Sequence, residues 1–249
     1  MNILEQICDY TRERVAAKKA HTRRFENALR GKDTARSAPS SMTFICEVKK
    51  ASPSKGVICP AESFDPLAIA RGYVQAGAAA ISVLTEPKWF MGADEYLQNI
   101  SRECDIPTLR KDFVVDEFMI YEAKFLGASA VLLICAALSQ SDLERYLKIA
   151  ENIGLCVLVE THDEREIDMA LAAGARIIGV NNRNLKTFEV DLSLSERLRK
   201  LVPPEVVFVA ESGIQTRDDV ARLEAAGVQA VLIGETLMRG GSLDCLRGQ

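Results

Sequence analysis

The segment Gly77-Ala78-Ala79-Ala80-Ile81-Ser82-Val83-Leu84 joins a glycine to a short apolar, β-branched run, and this combination returns three more times along the chain. The later runs start at Gly127, Gly174 and Gly227, so the four glycines are 50, 47 and 53 residues apart. Glycine suits the position just after a helix, where a positive φ is easiest without a side chain. Each segment therefore predicts the end of a helix followed by a strand.

Strands and helices alternate along most of the chain. Apolar runs predict eight strands, separated by helical patterns, at residues 43–48, 79–84, 107–110, 130–134, 155–159, 176–180, 206–209 and 230–233. Asp65-Pro66 ahead of Leu67 predicts a helix start, with an N-cap and then proline at the first helical position. Buried-type strands that alternate with helices favour a parallel sheet.

Eight such units without a break in composition predict one α/β domain over residues 1–249, a closed (β/α)₈ TIM barrel. Residues 1–42 precede the first strand and are expected to form an N-terminal helical extension packed on the barrel. A helical stripe supports this expectation: Ile3, Leu4, Ile7, Cys8 and Val15. An open, doubly wound sheet is the alternative, but its Gly-x-Gly-x-x-Gly turn after a strand is absent from the sequence.

Composition narrows the class of protein. The 249 residues include 31 Lys+Arg and 35 Asp+Glu, for a net charge of −4, and 48% are apolar, which is typical of a globular protein with a sizeable core. No run of about 18 apolar residues predicts a membrane span, and the N-terminal stretch has no apolar signal-peptide core. The seven cysteines include no Cys-x-x-Cys pair, which predicts a reducing, cytoplasmic location with the thiols serving as packing. With His21 and His162 as the only histidines, we expect no metal site and no Ser-His-Asp triad.

One basic segment suggests a different function. Residues 11–36 contain nine Lys/Arg and three Asp/Glu, a local charge of +6. Aromatic residues within it are limited to Phe25, and the rest of the chain is acidic, so a solvated helix is favoured over nucleic-acid binding. The segment could also steer a multiply negative substrate towards the barrel mouth.

Polar side chains follow the predicted strands six times over, and barrel active sites form at the carboxyl ends of the strands. The strand ends supply Glu47 with Lys49, Lys111, Glu160, Asn181, Glu211-Ser212 and Gly234-Glu235. Strand parity turns Glu47 and Lys49 to one side and Cys46 to the other. An inward lysine–carboxylate pair can supply an acid and a base, whereas a structural salt bridge is the alternative interpretation.

The loops around this mouth predict the class of ligand. Glycine-containing turns after strands seven and eight, at Gly213 and Gly234, favour a phosphorylated substrate. Residues 50–56 are not expected to form regular structure, and their composition suits a mobile lid or an ordinary surface loop. Trp89-Phe90 and Phe113 follow strands two and three, where their rings could form the wall of a pocket for an aromatic substrate.

Five stretches, in the same order along the chain, resemble those of the indole-3-glycerol phosphate synthase family. They are Glu47-Val48-Lys49-Lys50-Ala51-Ser52-Pro53-Ser54, Ile81-Ser82-Val83-Leu84-Thr85-Glu86, Leu109-Arg110-Lys111-Asp112-Phe113, Gly179-Val180-Asn181-Asn182-Arg183-Asn184-Leu185 and Ala210-Glu211-Ser212-Gly213-Ile214. The first stretch is the most distinctive, whereas the last also occurs in related phosphate-binding barrels. The family also has an extension before its first barrel strand, as expected here for residues 1–42.

The resemblance implies a carboxy-lyase of tryptophan biosynthesis that needs no cofactor and no metal. Its substrate, 1-(2-carboxyphenylamino)-1-deoxyribulose 5-phosphate, would undergo ring closure, decarboxylation and dehydration to indole-3-glycerol phosphate. Lys111 would be the general acid, which suits a lysine whose pKa is lowered by other cations or by burial. Glu160 would be its acid/base partner in the dehydration, and Lys49 competes for the acid role in that step.

The same resemblance implies the binding residues. Glu47 and Asn181 would orient the lysines and hold the ribulose hydroxyls, while Glu211 and Ser212 would contact the sugar chain. The phosphate would lie among Lys49, Ser52, Gly213, Gly234 and Glu235. Arg183 would bind a substrate anion, and the anthranilate ring would lie against Phe90, Phe113 and Leu132. The expected partner is thus a small sugar phosphate, with no nucleic acid or membrane, and the expected assembly is a monomer or a weak homodimer.

Three alternatives stay open from sequence. Another sugar-phosphate barrel enzyme, such as a phosphoribosylanthranilate isomerase, would need a cysteine base facing in from the first strand, for which Cys46 is the candidate. A Schiff-base aldolase would use Lys111 as its nucleophile. A non-catalytic barrel could serve as a subunit scaffold, although acid and base residues on separate strand ends argue against that.

Overall fold

Eight parallel strands close into a barrel in a computed structural model that describes residues 24–30, 42–184 and 187–248. The strands are β1 (Thr43–Val48), β2 (Ala80–Leu84), β3 (Thr108–Lys111), β4 (Ala130–Ile134), β5 (Cys156–Thr161), β6 (Ile177–Asn181), β7 (Val207–Glu211) and β8 (Ala230–Ile233). Each pairs with its neighbours in chain order, and β1 pairs with both β2 and β8, which closes the sheet. The predicted barrel is confirmed, with every strand boundary within two residues of the prediction.

Within the described residues, one short helix precedes β1, and the other helices follow the strands around the outside of the barrel. They are α1 (Arg24–Leu29), α2 (Pro66–Gln75), α3 (Asp94–Glu103), α4 (Phe118–Phe125), α5 (Gln140–Asn152), α6 (Glu164–Ala172), α7 (Ser193–Arg199), α8 (Arg217–Ala225), α9 (Glu235–Met238) and α10 (Leu243–Arg247). The predicted start of α2 is confirmed, since Asp65 Oδ1 accepts hydrogen bonds from the backbone N–H groups of Leu67 and Ala68. The four glycines that repeat along the sequence all have φ between 82° and 90° and follow helix ends as predicted.

Strand parity divides the buried side chains into two layers. The inner layer fills the barrel and includes Ile45, Leu158 and Leu232, whereas the outer layer packs between the sheet and the helices. Cys46 belongs to the outer layer, so its neighbour Glu47 points inward as predicted. The inner layer ends below the carboxyl ends of the strands, which leaves space there for a site.

The helix α1 closes the opposite end of the barrel. Phe25 and Leu29 are fully buried and join the inner layer at the amino ends of the strands. Glu26 anchors the helix through an ion pair to Arg176, just before β6, and also pairs with Arg30 one turn later in its own segment. The last part of the predicted extension therefore packs on the barrel. The apolar stripe formed by Ile3, Leu4, Ile7, Cys8 and Val15 lies outside the described residues.

The described part of the basic segment is held at this same end. Arg24 donates to the Asp105 carboxylate at 2.7 Å, and Arg30 donates to the Glu205 carbonyl at 2.6 Å. These two arginines lie at the face opposite the carboxyl ends of the strands, so they do not support the expectation that the segment steers a substrate to the mouth. For the rest of the segment that expectation stays a prediction. The other charges of residues 11–36 lie outside the described residues, apart from Glu26.

The six described cysteines differ in their surroundings. Cys46, Cys104, Cys135 and Cys156 are buried, which confirms that they serve as packing. The same prediction is wrong for Cys245, which is exposed because Leu243 and Leu246 take the buried face of α10. Within the described parts of the chain, no helix is long and apolar enough to span a membrane.

Candidate active site

The carboxyl ends of the strands surround a cavity of about 720 Å³. Every site residue predicted from the sequence lines it: Glu47, Lys49, Ser52, Phe90, Lys111, Phe113, Leu132, Glu160, Asn181, Arg183, Glu211, Ser212, Gly213, Gly234 and Glu235. These residues come from all eight strands or the loops that directly follow them, so only the closed barrel brings them together. Their individual roles stay predictions.

Lys111 lies at the centre of the charged groups in the cavity. Its Nζ, at the end of β3, donates to Glu160 Oε2 on β5 at 2.9 Å and lies 3.4 Å from Glu211 Oε2 on β7. The side chain of Lys111 is 14% exposed, and those of Glu160 and Glu211 are 4% and 2% exposed. A lysine and two carboxylates from separate strands thus share one largely dry site.

Burial by itself lowers the pKa of Lys111, but the charges of Glu160, Glu211 and Glu47 more than offset it and raise the pKa well above its ordinary value. This direction is opposite to the one expected from the sequence. The reason is that the nearest charges are carboxylates, whereas the expectation relied on neighbouring cations and burial. Lys111 is therefore held as an ammonium, the form that can donate a proton.

The two carboxylates beside Lys111 differ in their protonation. For Glu160, burial raises the pKa, but the Lys111 ammonium, His162 and the Asn181 amide outweigh burial and hold the pKa far below its usual range. Asn181 Nδ2 donates to Glu160 Oε1 at 3.1 Å. For Glu211, burial dominates and raises the pKa to about 7 despite the charge of Lys111. One site thus holds an ionised carboxylate and one that is readily protonated, as an acid–base mechanism requires.

A second lysine–carboxylate pair lies beside β8. Lys49 Nζ is 2.5 Å from Glu47 Oε1, and Ser82 Oγ donates to Glu47 Oε2 at 3.4 Å. Gly234 ends β8 against this pair, because a Cβ added there would lie 2.4 Å from Glu47 Oε1 and 2.9 Å from Lys49 Nζ. A side chain at position 234 would therefore displace the pair.

The turn after β7 exposes backbone to the cavity. Ser212 and Gly213 both adopt positive φ, at 65° and 85°. A Cβ on Gly213 would lie 2.2 Å from Val190 Cγ1, so only glycine fits there. Beside this turn, Glu235 begins α9, whose first N–H groups have no partner within the helix. The arrangement suits an anion that accepts hydrogen bonds from backbone.

Three cations surround Glu235 at this corner. Its carboxylate lies 3.2 Å from Arg239, 3.4 Å from Arg183 and 3.7 Å from Lys55. Arg183 is a site residue predicted from the sequence, whereas Lys55 and Arg239 were not predicted as site residues. Lys55 belongs to the segment after β1, and Arg239 is placed by its i, i+4 spacing from Glu235, a signal that could have indicated it.

The segment after β1 has regular structure, contrary to the expectation. Ala51–Ser52 pairs with Gly56–Val57 as a short antiparallel hairpin. The Lys55 N–H donates to the Ser52 carbonyl at 3.3 Å, and Gly56 adopts φ of 66°, so the Pro-Ser-Lys-Gly composition forms a tight turn. Ser52 at the base of this hairpin lines the cavity.

Phe90 and Phe113 form an aromatic wall, with their ring centroids 5.9 Å apart. Trp89 does not line the cavity and is 60% exposed. Glu86 positions this loop, since its carboxylate accepts the backbone N–H groups of Lys88, Trp89 and Phe90 at 2.7–2.9 Å. This supporting role of Glu86 was not predicted from the sequence.

Two alternatives from the sequence lose support in this geometry. Cys46 faces away from the barrel interior, and burial raises the pKa of its thiol to about 12, so it cannot serve as a base in the cavity. A Schiff-base mechanism needs a neutral Lys111 amine, whereas three carboxylates hold it protonated. Across residues 24–30, 42–184 and 187–248, no group of three or more His, Cys, Asp or Glu side chains is arranged to hold a metal ion.

Comparison with known proteins matches residues 4–245 to the family model described as indole-3-glycerol phosphate synthase. The chain belongs to this family. A relative with that name from Ruminiclostridium cellulolyticum is 58% identical over 200 residues, which cover 80% of this chain and 76% of the relative. Another from Endomicrobium trichonymphae is 51% identical over 232 residues, or 93% of this chain and 86% of the relative. The resemblance noted in five short stretches thus extends over the barrel.

Proposed function

We propose that this chain is an indole-3-glycerol phosphate synthase, a carboxy-lyase of tryptophan biosynthesis. It would convert 1-(2-carboxyphenylamino)-1-deoxyribulose 5-phosphate to indole-3-glycerol phosphate, CO₂ and water. The observation behind the proposal is the 2.9 Å contact of Lys111 with Glu160 inside the cavity of a barrel from this family. An ammonium beside an ionised carboxylate offers the donor and acceptor for proton transfer that ring closure and dehydration need.

In this proposal Lys111 protonates the ketone oxygen while the aromatic carbon attacks. The carboxyl group then leaves as CO₂, and the electron pair of the broken bond restores the aromatic ring. Loss of the protonated hydroxyl group as water forms the indole. Glu160 is the acid/base partner in the dehydration, and Lys49 is the competing acid for that step. Asn181 supports this assignment because its amide fixes Glu160 Oε1 and leaves Oε2 directed at Lys111. Glu47 likewise positions Lys49.

Substrate binding follows from the distribution of charge and apolar surface. The phosphate would lie against the backbone of Gly213, Gly234 and Glu235, with Lys49 and Ser52 nearby. The ring would lie against Phe90, Phe113 and Leu132, on the opposite wall. Glu211 and Ser212 would contact the sugar chain between them, and Arg183 would bind a substrate anion.

Phosphate binding would displace the Glu235 carboxylate from the three cations around it. Lys55, Arg183 and Arg239 are all within 4 Å of this one carboxylate, although a phosphate dianion is the better partner for several cations. Of these, Arg183 was predicted from the sequence to contact an anion. Lys55 and Arg239 extend the proposal by two further cations at the same corner.

The proposal also includes the cellular context. We propose a single-domain enzyme of the cytoplasm, monomeric or weakly dimeric, that needs no cofactor and has no nucleic-acid or membrane partner. Support for the location comes from the described cysteines, most of which are buried and serve as packing.

The test is direct. Purified protein mixed with the substrate should develop indole fluorescence without added metal or cofactor, and no product at high enzyme concentration would refute the proposal. Lys111→Ala should lower kcat at least ~100-fold, the lower end for a general acid. The matched control is Lys148→Ala, an exposed lysine on α5, which should retain the normal rate. A near-normal rate for Lys111→Ala would transfer the acid role to Lys49, and borohydride trapping of substrate on Lys111 would reveal an aldolase instead.

A further inference from the structure

His162 lies directly behind Glu160 and does not line the cavity. It follows the last residue of β5, and its ring lies between two carboxylates. Nε2 is 3.3 Å from Glu160 Oε1, and Nδ1 is 3.0 Å from Glu166 Oε2 on α6. The backbone N–H of His162 also donates to Glu166 Oε2, at 2.8 Å, which fixes the ring relative to α6.

Only one protonation state of this ring satisfies both neighbours. A neutral imidazole has one N–H, so its other nitrogen would direct a lone pair at a carboxylate oxygen. Nε2 is buried, and it has no aligned hydrogen bond within the described part of the chain, so Glu160 is the charge that it faces. Burial lowers the pKa of His162, but the carboxylates of Glu160 and Glu166 outweigh burial and raise it to about 10.

The other charged and titratable groups around the ring are compatible with a protonated His162. Lys111 from β3 bonds the far oxygen of Glu160, and Asn181 from β6 bonds the same oxygen that His162 faces. Cys135, after β4, donates its Sγ–H to the Glu166 carbonyl at 3.7 Å. Asp163 caps α6 through the Glu166 N–H. The described cations that act on Glu160 are thus Lys111 at one oxygen and His162 at the other.

We propose that the His162 imidazolium is a positioning residue for Glu160, which holds Oε1 so that Oε2 stays directed at Lys111. The inference rests on the proposed function, because it assigns His162 a part in the acid–base role of Glu160. His162 does not touch the substrate in this scheme. It keeps Glu160 ionised and aligned, and Glu166 in turn holds His162 charged.

A direct test uses the fact that the chain has two histidines. The variant His21→Asn leaves His162 as the single imidazole, whose NMR signals can be followed through a pH titration. We expect a midpoint near 10, and not near the ordinary 6.5. Glu160→Gln and Glu166→Gln, each added to that variant, should each lower the midpoint by about one pH unit or more, since an opposite charge within ~4–6 Å has this effect. A midpoint near 6.5 that does not respond to Glu160→Gln would overturn the proposal.

Kinetics give the second test. His162→Gln replaces the imidazolium with a neutral amide that can still donate an N–H, so the pKa of Glu160 should rise. The acidic limb of the kcat profile should then move up towards the ordinary pKa of a glutamate, about 4.3. We expect kcat at neutral pH to fall about tenfold with KM within about twofold, since positioning is weaker than direct general acid catalysis. His21→Asn is the matched control and should retain the normal profile.

The outcomes separate the two proposals. If the unsubstituted protein forms no indole product, the proposed function fails, while the NMR titration still measures the coupling of His162 with Glu160. If product forms and His162→Gln keeps the normal pH profile, the positioning role is refuted. A merely structural role would lower the amount of active protein and the unfolding temperature without moving the acidic limb.

Discussion

Glu211→Gln should change how the stability of this protein depends on pH. Glu211 is 2% exposed at the end of β7, and its Oε1 is buried with no hydrogen-bond partner among the described residues. Its other oxygen lies 3.4 Å from Lys111 Nζ. Ionisation of this carboxyl costs free energy because the group is buried away from water. Glutamine removes the ionisable group and preserves the shape of the side chain.

The magnitude follows from the pKa of the folded protein. Burial raises the pKa of Glu211 from 4.5 to about 7, and the negative charges of Glu160 and Glu47 act in the same direction, against the attraction of Lys111. The folded protein therefore binds this proton more tightly than the unfolded chain does. The resulting stabilisation is fully present below pH 4.5 and is lost as pH rises through about 7. A difference of about 2.5 pH units corresponds to ~3 kcal/mol.

Urea unfolding followed by circular dichroism, at several pH values from about 4.5 to 8, measures this effect. The free energy of unfolding of Glu211→Gln minus that of the unsubstituted protein should rise by about 3 kcal/mol across this range. The matched control, Glu224→Gln on the exposed face of α8, should show a constant difference. A constant difference for Glu211→Gln would refute the conclusion that burial keeps this carboxyl readily protonated.

Three further substitutions test other parts of the structure. Phe25→Ala opens the closed end of the barrel and should lower the free energy of unfolding by ~3–5 kcal/mol, measured by urea unfolding, with KM unchanged because the site is at the other end. Gly213→Ala brings a Cβ within 2.2 Å of Val190 and should add ~1–3 kcal/mol of strain, seen in steady-state kinetics as about a tenfold higher KM. Glu86→Gln weakens the support under Phe90, so KM should rise severalfold with kcat nearly unchanged; an unaltered KM would exclude this support.

The sequence predicted the strands well because each one begins and ends with a change in hydrophobicity. Its largest errors, of two residues, lie at the carboxyl ends, where β5 continues to Thr161 and β7 continues to Glu211. Polar residues end an apolar run, yet their backbone still pairs with the next strand, as Asn181 does with Glu211. The hairpin of residues 51–57 was not predicted because each of its strands has two residues, which is too short to show a hydrophobic pattern.

Features that depend on residues distant in the chain were predicted less well from the sequence. The direction of the pKa of Lys111 was opposite to the expectation, because three carboxylates outweigh burial. The sequence did not predict that His162 contacts Glu160 or that Glu86 holds the loop of Phe90. Each of the two acts on another residue of the site, and neither belongs to a sequence motif that indicates such a role. Cys245 was expected to be packing, but the face that α10 buries is decided by contacts with the rest of the barrel.

The sequence by itself determined the alternation of strand and helix, the parity of each strand and the polar residues at the strand ends. These depend on hydrophobicity and backbone geometry over a few residues, so they can be predicted locally. Tertiary structure alone decided which charges meet. Lys111 bonds Glu160 across 49 positions of sequence, and only closure of the barrel brings β3, β5 and β7 within hydrogen-bonding distance. Because Coulombic interactions depend on these distances and on burial, the protonation of the site follows from the fold.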